Sequence, residues 1–182
     1  LSVEIPRADS RFVSLAELNQ RLEENEGLRR ALAVAGTAIL GLDNEGVPLL
    51  LRLSSPDVAH CLIAGTTGSG KTELARTLVV SLVMHQKPRD VQIAIFDPKG
   101  HSFALLAHSP HLLFPIVSNA QETLDRIEYL VGEMKRRDHQ GDLGQIQVTR
   151  PRIIVVVDEL ADVLQMGGKQ LENLLTRLVQ RG

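Results

Sequence analysis

Eight consecutive residues, Gly65-Thr66-Thr67-Gly68-Ser69-Gly70-Lys71-Thr72, match the pattern G-x-x-x-x-G-K-T in full. The chemistry that asks for these types at this spacing is the holding of a polyphosphate. Glycines let the backbone curl so that successive N–H groups point inward at one anion. A helix opening at the end of the loop adds the partial positive charge of its N-terminus. Lys71 can then reach the β- and γ-phosphates, and Thr72 can offer its hydroxyl to Mg²⁺. Background composition puts a chance match somewhere in a chain of this length at roughly half a percent. ATP and Mg²⁺ are therefore the expected ligands.

A second run, Ile153-Ile154-Val155-Val156-Val157-Asp158-Glu159, places an acidic pair at the mouth of an apolar strand. Asp158 is suited to orient Mg²⁺ beside Thr72, and Glu159 to polarise the water that attacks the γ-phosphate. Alone, the pair is equally a helix start that prefers acids; with the phosphate loop upstream, the catalytic reading of Lys71, Asp158 and Glu159 is the stronger. Asp97-Pro98-Lys99-Gly100 also closes a strand. Asp97 could join the magnesium water network and Lys99 could face a phosphate or a neighbouring subunit, while a plain turn explains the same residues.

Other residues carry weaker signals. His108 and His111 flank Ser109-Pro110 without an acidic or Cys partner at ligand spacing. Lys135-Arg136-Arg137 is read as the last turn of its helix, where cations suit the macrodipole; a trans arginine for the next subunit's ATP is the alternative. Cys61 reads as a small core residue.

The elements that must position these groups follow from punctuation and periodicity. Ser14 with Glu17 has capping-box spacing, so a helix is expected over 15–24, and a second over 28–35. The tracts 37–42 and 47–53, joined by Asp43-Asn44-Glu45-Gly46, read as a β-hairpin. A short strand at 61–64 should run into the phosphate loop and a helix over Lys71–His85. Strands are expected at Val91–Phe96 and Arg152–Val157, a helix at 120–137 capped by Asn119 with Glu122, a loop at 138–149, and two helices at 160–165 and 170–180 split by Gly167-Gly168. Apolar strands alternating with helices indicate a mostly parallel sheet covered on both faces, an α/β fold. Ligands in such sheets bind at the carboxyl ends of the strands.

Bulk properties bound the rest. The sequence has 182 residues, 43% hydrophobic and 23% charged, which suits one globular domain. A net charge of −2 gives no strong positive field, and 3% aromatics argue against base-stacking platforms. One cysteine, no signal-peptide pattern and no long apolar run lead to an expectation of cytoplasmic exposure. Opening on Leu1 and closing on Arg181-Gly182 inside a helical pattern, the chain reads as a piece of something longer.

From about Gly41 to Gly182 the sequence resembles the motor domain of the FtsK/SpoIIIE superfamily, which also includes conjugation and type VII secretion ATPases. The resemblance is carried by Ala64 through Thr72, by Asp97-Pro98-Lys99 and by Pro110-His111-Leu112-Leu113. Glu133-Met134-Lys135-Arg136-Arg137 and Val157-Asp158-Glu159-Leu160-Ala161-Asp162 complete it. It implies a RecA-like P-loop NTPase core at 58–182, preceded by helices and a hairpin at 1–57, a hexameric ring, and double-stranded DNA threaded through it. The implied activity is Mg-dependent ATP hydrolysis driving DNA translocation in cell division, chromosome segregation or DNA transfer, with any membrane anchor outside this chain. Gly100-His101-Ser102-Phe103 departs from the pattern and leans toward the secretion branch, so a type VII secretion ATPase is the alternative. A non-hydrolysing assembly module is a third reading, against which Glu159 argues.

The resemblance also implies a sensor strand beyond residue 182, lying between the 61–64 strand and Arg152–Val157. The expectation is a gap in the sheet there, leaving costly unpaired backbone groups unless the hairpin covers the edge.

Overall fold

The computed structural model describes residues 13–142 and 151–181. In chain order it contains α1 (Leu15–Glu23), α2 (Glu26–Leu32), β1 (Thr37–Leu42), β2 (Pro48–Arg52), α3 (Lys71–His85), β3 (Val91–Phe96), α4 (Ala120–Asp142), β4 (Arg152–Val157) and α5 (Leu160–Arg181). No helix among the described residues is long and apolar enough to cross a membrane.

The fold is α/β, and its centre is the β3–β4 pair. The two strands run parallel in unbroken register from Val91 opposite Arg152 to Phe96 opposite Val157. Side chains alternate across a strand, and each face has its own helices. Ile93, Ile95, Ile154 and Val156 pack with Leu78, Val79 and Leu82 of α3. Ala94, Phe96, Ile153 and Val157 pack with Ile127 and Leu130 of α4 and Val163 and Leu171 of α5. Both faces of the pair are therefore covered, as an apolar parallel sheet requires. The far edge of β3 is occupied as well: Leu112 bridges Ile93 and Val117 bridges Phe96, both in parallel sense.

The hairpin sits elsewhere. Among the described residues β1 and β2 pair only with each other, joined by a turn in which Asp43 Oδ1 accepts from the Glu45 and Val47 amides at 2.9 and 2.8 Å. Ala38 joins the α3 core. Ile39 faces Leu18, Leu22 and Leu32 of α1 and α2, and its amide donates to buried Ser81 Oγ of α3 at 2.8 Å. The capping box at Ser14 and Glu17 forms as expected, and α2 is capped by Asn25.

Three expectations are corrected. Residues 61–64 form no strand, and Cys61 is exposed rather than packed in a core. A strand exists only where a neighbour pairs its N–H and C=O groups, and among the described residues none stands beside this segment. The hairpin does not cover the outer edge of β4, whose residues are only partly buried, Val155 being 37% exposed. Helix α4 continues to Asp142, so Lys135-Arg136-Arg137 is not in its last turn. Its polar tail is a solvated helix face, bridged by Arg136 to Gln140 at 3.2 Å, and the rest of the expected loop (143–149) lies outside the described residues. The expected break at Gly167-Gly168 is present: within 160–181 Gly168 has a φ of 54° and a ψ of −148°, which are not helical, and it kinks α5 between two helical stretches. Gly167 is needed there because a Cβ would lie 2.5 Å from the Cβ of buried Leu171.

Candidate functional site

The glycine-rich loop sits at the N-terminus of α3. Gly68 and Gly70 adopt φ of +80° and +90°, a left-handed backbone that other residues rarely take. Gly70 is the N-cap and supplies no side-chain cap, so the first-turn amides of α3 remain available to an anion. The loop folds back on itself, with the Ser69 amide donating to the Thr66 carbonyl at 3.2 Å. Lys71 Nζ donates to that same carbonyl at 2.9 Å, which keeps its ammonium over the loop.

Asp158 follows the last residue of β4, and its amide donates to the Phe96 carbonyl at 3.1 Å, extending the strand pairing by one bond. Thr72 Oγ1 donates to Asp158 Oδ1 at 3.2 Å. The two residues expected to share a metal are thus brought together. Glu159, the next residue, is partly buried and begins α5 through its carbonyl, which accepts from the Val163 amide at 3.1 Å.

A residue that sequence reasoning did not single out completes the acid's surroundings. Ser102 Oγ donates to Asp158 Oδ2 at 2.6 Å. The turn that carries it is anchored by fully buried Asp97, whose carboxylate accepts from the amides of Gly100 at 3.0 Å and Ser102 at 2.8 Å. Asp97 therefore holds the turn, as the plainer reading had it. Arg76 of α3 secures the same turn from the other side, donating from Nε to the Ser102 carbonyl at 2.8 Å. The available signal was an Asp followed by a turn whose amides it could cap; nothing in the spacing pointed onward to Asp158.

Four of the remaining candidates, Lys99, Arg136, Arg137 and His111, have structural partners. Lys99 pairs with Asp162 of α5 at 3.6 Å, both partly exposed. Arg136 and Arg137 converge on Glu133 at 2.5 and 2.6 Å, and Arg137 also donates to the Pro151 carbonyl at 2.8 Å, tying α4 to the start of β4. Burial alone would raise the Glu133 carboxyl, but hydrogen bonds from Arg136 and Arg137, with their charges, outweigh it and hold it below the usual carboxylate range. His111 is buried with Nε2 at 3.1 Å from the Gln86 carbonyl, and the described residues hold no group of three or more metal-ligating side chains.

The residues fit a Mg²⁺-bound polyphosphate. A Cβ built at Gly68 or Gly70 meets nothing within 4 Å, so the concave backbone is open to a ligand. The facing oxygens of Thr72 and Asp158 are hard donors of the kind Mg²⁺ accepts.

The FtsK/SpoIIIE family matches the chain over residues 29–143, as the motifs led one to expect. The DNA translocase FtsK of Staphylococcus aureus strain Mu50 is 31% identical over 201 residues, an alignment covering 99% of this chain and 24% of the relative. The chain thus spans about a quarter of that relative's length. The cytoplasmic domain of the Thermomonospora curvata type VII secretion ATPase EccC superposes with a TM-score of 0.64 and 26% identity, over 81% of this chain and 20% of that one. The pCW3 conjugation coupling protein TcpA, in its monomer form with ATPgS, gives a TM-score of 0.58 and 25% identity, over 81% of this chain and 43% of that one.

Proposed function

The chain belongs to the FtsK/SpoIIIE family, and from that premise we propose that it is the ATP-binding and ATP-hydrolysing core of a motor that moves double-stranded DNA through a hexameric ring. The observation that carries the reading is the meeting of Thr72 and Asp158 at the foot of the glycine-rich loop. A helix N-terminus, one ammonium and one acid converge there.

In this reading the loop amides of residues 65–72 bind the phosphates, and Lys71 exchanges the Thr66 carbonyl for phosphate oxygens. Thr72 and Asp158 would hold Mg²⁺, which would supply charge neutralisation at the phosphates. Glu159 accepts the proton of the attacking water. Work is done on DNA mostly by segments outside this chain, in a protein whose motor faces the cytoplasm.

A second reading, an ATPase of a type VII protein secretion system, is favoured by the likeness to EccC and by the Gly100-His101-Ser102-Phe103 departure. Phosphate release from the full-length protein, with and without double-stranded DNA, tests both. DNA stimulation supports the translocase. Mg-dependent hydrolysis indifferent to DNA moves the assignment to secretion, and no hydrolysis under any condition removes the motor reading.

A further inference from the structure

Outside the groups the motif reading assigns, one contact bears on the acid at the centre of the site. Ser102 Oγ is 2.6 Å from Asp158 Oδ2, the distance of a charge-assisted bond from a hydroxyl to a carboxylate. Its position is fixed from three directions. The Ser102 amide donates to Asp97 Oδ2 at 2.8 Å, its carbonyl accepts from Arg76 Nε at 2.8 Å, and the next residue, Phe103, is fully buried in the α3 core. A backbone held at amide, carbonyl and following side chain fixes the Ser102 Cβ within one hydroxyl's reach of the carboxylate.

We propose that Ser102 is a positioning residue for Asp158: by occupying Oδ2 it turns Oδ1 toward Thr72 and holds it there for the cation. The proposal rests on the reading of Thr72 and Asp158 as the Mg²⁺ holders. Without the Ser102 hydroxyl, the carboxylate keeps the 3.2 Å Thr72 contact but loses the shorter bond that limits rotation about its Cβ–Cγ bond. The ordering that metal binding then requires appears as weaker metal affinity. The turn carrying Ser102 thereby links Arg76, on the helix that carries the phosphate loop, to the acid on β4.

The test is equilibrium binding of a fluorescent ATP analogue to the full-length protein, in excess EDTA and across a Mg²⁺ titration. Wild type, Ser102→Ala, Ser102→Thr and Arg76→Gln are compared. Ser102→Ala is expected to keep its EDTA affinity within about two-fold and to need about 10- to 100-fold more Mg²⁺ for half-maximal tightening, the range typical of lost outer-shell partners. Ser102→Thr keeps the hydroxyl and should restore most of the loss; Arg76→Gln should shift the requirement in the same direction by less. A wild-type Mg²⁺ requirement in Ser102→Ala overturns the proposal, as does an affinity loss equal with and without Mg²⁺. Should Ser102→Ala fail to fold, an unchanged requirement in Arg76→Gln overturns it instead. A wild-type protein that binds no nucleotide at any Mg²⁺ level overturns the site's assignment itself, a result separable from the others because it appears before any substitution.

Discussion

Thr72 and Asp158 stand 86 positions apart in the chain, yet Oγ1 of one lies 3.2 Å from Oδ1 of the other. One is in the first turn of α3 and the other caps β4, and both elements pack against β3. The pair is therefore only as well placed as the β3–β4 register, which runs unbroken to Phe96 and Val157 and continues into Asp158 through its amide.

Lys71→Ala is expected to weaken nucleotide binding by about 30- to 150-fold. That range is the affinity equivalent of about 2–3 kcal/mol for charge-assisted hydrogen bonds to phosphate. Lys71 Nζ now rests on the Thr66 carbonyl, an exposed contact whose loss should leave stability unchanged. Titration calorimetry with ATP and Mg²⁺, paired with a thermal melt, reads both; wild-type affinity in the variant would remove Lys71 from the site.

Glu159→Gln should separate binding from turnover. The amide has the same shape and the Val163 amide bond to the Glu159 carbonyl is untouched, so ATP affinity should stay within a few-fold. Loss of a general base lowers the chemical step by about 10²–10⁴-fold. Single-turnover hydrolysis measures this, and equal rates in the variant and wild type would assign the base elsewhere.

These contrasts also show which parts of the molecule can be read locally. The boundaries of α3, β3 and β4 follow from the sequence because each is a run of one periodicity with a sharp stop at Gly70, Pro88 or Asp158. The 61–64 segment has the composition of a strand and is not one, because pairing depends on a neighbour that composition does not reveal. The role of Ser102 is not legible in the sequence for a related reason. Its hydroxyl bonds Asp158 directly, and it is held there by the Asp97 carboxylate and the Arg76 guanidinium, tertiary contacts that spacing along the turn does not announce. The end of α4 at Asp142 is not legible because a solvated helix face and a polar loop have the same composition.

The hairpin's attachment to α3 offers a stability test. Ile39 is fully buried, and its amide has Ser81 Oγ as partner at 2.8 Å. Ser81→Ala leaves that donor without its bond in an apolar setting, a loss of about 1–3 kcal/mol. Denaturant unfolding should show a lower midpoint with unchanged slope. A midpoint within error of wild type would mean that water or a shifted backbone satisfies the amide.

The Glu133 cluster gives a prediction with a definite pH sign. Arg136 and Arg137 bind the carboxylate at 2.5 and 2.6 Å, its side chain 11% exposed, and together they lower its pKa from 4.5 despite burial acting the other way. A folded pKa below the unfolded value means that the unfolded state binds the proton more readily. The stabilisation is therefore fully present above pH 4.5 and is lost as pH falls through the depressed folded value. Glu133→Gln keeps the shape but removes the charge. It should be less stable than wild type by about 1 kcal/mol at neutral pH, and the gap should close as the solution is acidified below pH 4.5. Denaturant midpoints of both proteins across a pH series check this, and a gap that stays constant down to strongly acidic pH would show that the glutamate acts through packing rather than charge.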